Sequence, residues 1–336
     1  MLALGNGKLS ITKATELFDR FIPDGASHAA TSFVESLKIN SITEKVIRGR
    51  SVIIKRRNDY GEGAADLVNF YFRLAKTHIR YVSKVREWQH WEKKCFQMLN
   101  GDRFRATVSN ARTIIEDKLP GHSLWDHMNA HTLTQRMLKA AAREYRHAHG
   151  IYVDELDGGW SHGDASMPNV IYIEKTGRAR LIDFEIMHER SLPESARHAD
   201  DLLVFILDMV DRVPNRQWLP FALGFLRAYD DLEVVRDLKK RLVIPTGLAL
   251  IWWNVRTNFA NSAKVNRRFQ TLRGALNKLE HHRSVAGDRA RKKRRPSTNC
   301  QAIRPGIPTA KSRKRAIREI ANAVSPGMPM RLPTTK

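Results

Sequence analysis

The segment Ser161–Glu185, SHGDASMPNVIYIEKTGRARLIDFE, decides how this chain is read. His162, Asp164 and Asn169 gather in a polar loop just before the apolar run Val170–Ile173. Asp183 and Glu185 close a second apolar run, and Lys175 to Arg178 (KTGR) between the runs has the composition of a tight turn. The two runs therefore read as a β-hairpin. A hairpin returns Asp183 to the neighbourhood of Asn169, although fourteen positions separate them, and leaves each near a strand end. An asparagine carbonyl and an aspartate carboxylate are hard oxygen donors. They suit Mg²⁺, which takes few protein ligands and fills its shell with water and phosphate oxygens. Asp164 then stands nearby, free to orient or deprotonate a hydroxyl.

Working outward, residues 33–57 carry short runs rich in β-branched residues, FVESLKIN, TEKVIRG and RSVIIKRR, which read as an antiparallel strand group with a tight turn at Arg48-Gly49. The stretch from Ala64 to Gly101 has apolar residues at three- and four-residue steps and reads as one long helical region. ARTIIEDKLPG, Ala111 to Gly121, is a further strand running into a Pro-Gly turn, and residues 132–150 form a helix closed by Gly150. Three more helical regions follow the hairpin. This order predicts an α+β, bilobal architecture: an extension over residues 1–32, a sheet-bearing lobe over 33–118, a larger helical lobe over 119–282, and a tail over 283–336. A cleft between two lobes is a common ligand site.

These elements resemble the protein-kinase-like fold over roughly Phe33 to Ala260. HGDASMPN is similar to the catalytic loop H-x-D-x-x-x-x-N, and LIDFE to the metal-binding Asp-Phe-Gly segment, with Glu185 in place of glycine. VIIK resembles the strand whose lysine pairs with nucleotide phosphates, which implies that role for Lys55. WEKKCFQMLNG is similar to the helix supplying that lysine's glutamate partner. The implied partner is Glu92, with Glu87 as the second choice. The resemblance further implies that backbone groups of Glu116, Asp117, Lys118 and Leu119 meet an adenine edge, and that Asp201 (or Asp200) holds the catalytic loop. ATP and Mg²⁺ are the implied cofactors. The glycine of HGD is similar to that of aminoglycoside phosphotransferases, DFE to choline-kinase-like enzymes, and the RSVIIKRR and REWQHWEKK segments to lipopolysaccharide core kinases. The chain departs from protein kinases in lacking G-x-G-x-x-G before Lys55, where only Gly49 lies close. Pro193-Glu194 also follows Asp183 after ten residues, which leaves little room for a peptide-docking segment. The implied acceptor is a small molecule, glycan or glycolipid. A Ser/Thr protein kinase and a non-catalytic relative that binds through its tail are the alternatives.

Simpler readings stand beside these. Lys55 could extend its head to the surface, Glu92 could pair with Lys93 or Arg86 on a solvated face, and Glu185 could bind a second metal or only cap the following segment. His162 reads as a structural brace, and Trp252-Trp253 as core. The histidines, including His281-His282, show no metal spacing.

Composition sets outer limits. The chain has 336 residues and a formal charge of +23, and residues 283–336 hold fifteen Lys/Arg against two acids, so the body carries +10. That tail is expected to be largely unfolded, either simply a solvated basic segment or one attracted to an anionic membrane surface or to nucleic acid. Two cysteines cannot build a disulfide framework. No signal peptide is read at the start, and the apolar run Leu242–Val255 is too short to span a bilayer and contains Pro245 and Gly247. The expected location is cytoplasmic, including the inner face of a membrane.

Overall fold

The structure, a computed structural model, describes residues 39–257 and 260–293. Contacts divide the chain into Met1–Glu280 and His281–Lys336, and every element of the site lies in the first unit. The observed class is α+β: an antiparallel sheet followed by a helical region.

Strands β1 (Asn40–Ile47) and β2 (Arg50–Arg57) form a two-residue hairpin. Its turn residues Arg48 and Gly49 both have positive φ, the geometry that matches strand twist. Helix α1 (Gly61–Leu74), strand β3 (Ile79–Tyr81) and helix α2 (Val85–Asn100) follow. The long helical region expected over Ala64–Gly101 is thus two helices broken by a strand. Lys76 and His78 adopt left-handed backbone, which ends the first helix, and β3 pairs with a distant strand, β11 (Ile186–His188). Strands β4 (Ala106–Asn110) and β5 (Thr113–Asp117) complete a four-stranded sheet in the order β1-β2-β5-β4. β4 was not expected from sequence. The expected strand FVESLKIN lies outside the described residues except for Ile39 and Asn40.

Past the Pro120-Gly121 turn come strand β6 (His122–Ser123), helix α3 (Leu124–Asn129) with a Ser123/Asp126 capping box, and helix α4 (Gln135–His149) capped by Thr134. Strands β7 (Tyr152–Val153) and β8 (Gly158–Gly159) pair before the loop of interest. A 3₁₀ turn, Met167–Asn169, leads into β9 (Val170–Ile173), which pairs with β10 (Arg178–Leu181) as the KTGR turn required. Helices α5 (Glu194–Arg212), α6 (Asn215–Tyr229), α7 (Leu232–Arg241), α8 (Leu248–Arg256) and α9 (Ser262–Lys293) close the chain. α9 continues eleven residues past His282, where the sequence placed the start of an unfolded tail, and the rest of that tail lies outside the described residues.

One apolar core joins α2, the hairpin β9–β10 and α4 to α6, through residues such as Trp88, Phe96, Tyr145, Trp160, Phe205 and Phe225. It fixes both sides of the cleft to the same packed body. Gly121 sits where a Cβ would lie 2.1 Å from the Tyr172 carbonyl oxygen, so the linker between β5 and β6, residues 118–121, passes against β9 with no room for a side chain at Gly121. Gly121→Ala is expected to cost about 2 kcal/mol or more, through backbone displacement at a packed junction. Urea unfolding of the variant against the parent measures it.

Candidate active site

Cross-strand partners share a sheet face, and the register sets Lys55 opposite Ile114 and Ile53 opposite Glu116. Lys55 and Glu116 therefore point the same way, toward α2. On α2 an apolar stripe of Trp88, Trp91, Cys95, Phe96 and Leu99 carries Glu92 within it, fully buried. Lys55 and Glu92 form a buried ion pair. Glu87 lies on the exposed side of α2. The second oxygen of Glu92 accepts the Phe184 amide at 3.0 Å, so α2 holds the Asp183-Phe184 segment directly.

Lys55 Nζ also lies 3.0 Å from Asp183 Oδ1 and 3.6 Å from Glu116 Oε2. Burial alone would depress the ammonium. Asp183, Glu116 and Glu92 outweigh it and hold Lys55 well above the ordinary lysine value. Burial likewise pushes Asp183 up, but the Lys55 charge and hydrogen bond prevail and keep its carboxyl below the usual range. Asp183 adopts φ 68°, a left-handed conformation that aspartate tolerates better than most residues.

The loop is pinned from behind. Asp201, at 0% exposure near the start of α5, accepts the amides of His162 (2.7 Å) and Gly163 (2.9 Å) and the Nε2–H of His149 (3.0 Å). His149 Nδ1 accepts from the Tyr229 hydroxyl at 2.8 Å. Arg256 on α8 donates to the Gly163 carbonyl at 2.9 Å and lies 3.4 Å from Asp200, which also meets His188 Nε2 at 3.3 Å. The His162 ring donates to the Ile182 carbonyl at 3.0 Å, the bracing role expected of it. Asn169 Nδ2 donates to the Asp164 carbonyl (2.9 Å) and carboxylate (3.2 Å), which turns its own carbonyl oxygen away from Asp164. The Ile182 amide donates to the Asn169 carbonyl at 3.0 Å and ties the loop to the residue before Asp183. Burial pushes the half-buried Asp164 carboxyl up, against the Arg256 and His162 charges. Met167 N donates to Asp208, whose carboxyl burial raises to about 7.

Lys55, Glu116, Asp117, Lys118, Leu119, Asn169 and Asp183 line one cavity of about 370 Å³ between the sheet and the hairpin. Asn169 and Asp183 thus offer a neutral and an ionised oxygen donor to the same space, a donor set that fits Mg²⁺ with phosphate and water completing its shell. Among the described residues, no cluster of three His, Cys, Asp or Glu suits a metal. Glu185 accepts from Asn40, and burial with the nearby Asp183 and Glu92 charges lifts its carboxyl to about 8. It ties β1 to the Asp183 segment.

Sequence reading missed Arg256, His149, His188 and the Glu116 side chain. Nothing local marks the first three, because their partners Gly163, Asp201 and Ser161 sit 27 to 93 positions away. Glu116 carried a weak signal, an acid ending an apolar strand.

His149 stacks on His198 at 4.1 Å, and burial depresses both imidazoles, His198 to about 3. An imidazole held neutral in the fold but free to protonate when unfolded makes stability fall as pH drops below the unfolded value of about 6.5, until the folded pKa is reached. Stability between pH 6.5 and about 3 is expected to decline with a slope that His198→Gln reduces, read from urea midpoints across that range.

No helix among the described residues is long and apolar enough to cross a membrane. No protein-family model matches the sequence, and no curated protein matches it. Among solved structures the chain matches Plasmodium vivax ethanolamine kinase at 12% identity over 82% of this chain and 95% of that one, with TM-score 0.39. It also matches Rv3197 of Mycobacterium tuberculosis, solved as a complex with erythromycin, at 15% identity over 63% and 68% of the two chains, with TM-score 0.32. At these values the likeness assigns neither chemistry nor acceptor. Any assignment of chemistry rests on the side chains of the cleft.

Proposed function

We propose that this protein is an ATP- and Mg²⁺-dependent phosphotransferase acting on a hydroxyl of a small molecule, glycan or glycolipid, as lipopolysaccharide core kinases do. The observation that carries this reading is the meeting of Lys55, Asn169 and Asp183 on one cavity, with Asp164 accepting a hydrogen bond from Asn169. Lys55, fixed by Glu92, holds the nucleotide phosphates. Asn169 and Asp183 hold Mg²⁺, which supplies charge neutralisation of the β- and γ-phosphate oxygens when bound. Asp164 aligns the acceptor hydroxyl and takes its proton late. With a loose transition state, positioning and charge account for most of the rate. At the linker, the Asp117 and Lys118 amides already donate to the Arg105 and Ser51 carbonyls, so Leu119 is the linker amide that serves the nucleotide.

A small or glycan acceptor is favoured over a docked peptide by the short course after the site. β11 ends at His188 and α5 begins at Glu194, and five residues join them. An ATP-consumption screen across sugars, glycolipid cores, aminoglycosides, choline and a peptide library tests the class directly. Once an acceptor is found, Asp164→Asn is expected to cut turnover about 10²- to 10³-fold and to leave the ATP Kd within about threefold. Equal losses in turnover and ATP affinity would reject the acceptor-facing role.

A further inference from the structure

Of the acids lining the cavity besides Asp183, Asp117 pairs with Arg50 and Asp126 caps α3, which leaves the position of Glu116 to be explained. It is 2% exposed at the end of β5, on the Lys55 face of the sheet, and one carboxyl oxygen, Oε1, has no hydrogen-bond partner. A buried acceptor left unpaired costs stability and calls for a reason. Neutralising Lys55 is a weak reason, because Glu92 and Asp183 already contact the ammonium more closely. Burial raises the Glu116 carboxyl well above the ordinary range, against the nearby Lys55 charge. Oε2 is the oxygen 3.6 Å from Lys55 Nζ, which leaves Oε1 as the one available to accept a hydrogen bond. The cavity that Glu116 lines includes apolar residues suited to a flat ring, Ile53, Leu119, Ile171 and Ile182. Two of the neighbouring linker amides, Asp117 and Lys118, are already taken by backbone carbonyls.

We propose that the Glu116 side chain reads the base, its unpartnered oxygen accepting a hydrogen bond from the amino group of adenine. The site then prefers a purine with an amino group at that position over one with a carbonyl oxygen. This inference rests on the phosphotransferase reading, and its test separates the two. Calorimetric titration with Mg·ATP and with Mg·ITP, whose base has oxygen in place of the amino group, gives an affinity ratio free of any acceptor. The expected ratio is at least about tenfold in favour of ATP. Glu116→Gln keeps an acceptor oxygen, so it should hold the ratio within about threefold of the parent. Glu116→Leu removes the acceptor and should lower the ratio at least about fivefold. Thermal unfolding of both variants establishes that they are folded. An unchanged ratio in Glu116→Leu overturns base reading. A ratio lost equally in Gln and Leu also overturns it, because it assigns Glu116 to a charge role beside Lys55. If the parent binds neither nucleotide with Mg²⁺, the phosphotransferase reading itself fails.

Discussion

Asp183→Asn is expected to lower Mg·ATP-dependent phosphoryl transfer by about three orders of magnitude or more, with little change in fold. The aspartate does two things that asparagine cannot. Its charge meets Lys55 at 3.0 Å, and its ionised oxygen is the only full negative charge in the proposed Mg²⁺ donor pair. Loss of charge stabilisation at a transferring phosphoryl group costs about this much in comparable sites. Asparagine is the informative substitution because residue 183 has φ 68°. Asparagine tolerates left-handed backbone, whereas alanine would add strain to the loss of charge. Steady-state kinetics on the acceptor found by screening, with circular dichroism on the same preparation, measures both effects. Retention of more than a tenth of the parent rate would remove Asp183 from the chemistry.

Asp201→Asn is expected to be the most destabilising isosteric change in the support of the His162–Asn169 loop, at about 2–4 kcal/mol near pH 7. Asp201 is fully buried and receives the two loop amides and His149. Asparagine offers one acceptor oxygen in place of two and sets an amide donor against a donor, so at least one buried N–H goes unpaired. Burial raises the Asp201 carboxyl, but the His149 hydrogen bond and the surrounding histidines prevail and hold it well below the usual range. A carboxyl with a depressed folded pKa contributes stability above its unfolded pKa of about 4 and loses it as pH falls toward the folded value. The gap between parent and variant should therefore be full at pH 7 and shrink below about pH 4. Denaturant unfolding at both pH values decides it, and a gap that does not vary with pH would refute the ionised role.

The parts of this site legible in the sequence are those with short-range causes. The KTGR turn brings Asn169 and Asp183 to one end of a hairpin because chain reversal between two apolar runs has few solutions. Glu92 was reached only through the resemblance of WEKKCFQMLNG to the helix that supplies such a lysine's glutamate partner, and the structure pairs it with Lys55. The break between α1 and α2 was not legible, because the helical period continues across it. What interrupts the helix is β11, about a hundred positions later, which claims Ile79–Tyr81 as a strand partner. Arg256 was hidden for the same reason: its distance of 2.9 Å from Gly163 is created by helix packing, and no local pattern announces it. The Arg48-Gly49 turn was read correctly as a turn but does not lie over Lys55. The register places Ile42 opposite Lys55, and the turn stands at the other end of the hairpin, near the linker.

Calorimetric titration of the full chain with ATP, in Mg²⁺ and then in excess EDTA, tests the central claim most directly. The geometry of Lys55, Asn169 and Asp183 predicts binding at one site per chain that depends on Mg²⁺ and disappears in Asp183→Asn. Absence of binding, or binding indifferent to both EDTA and Asp183→Asn, would contradict it.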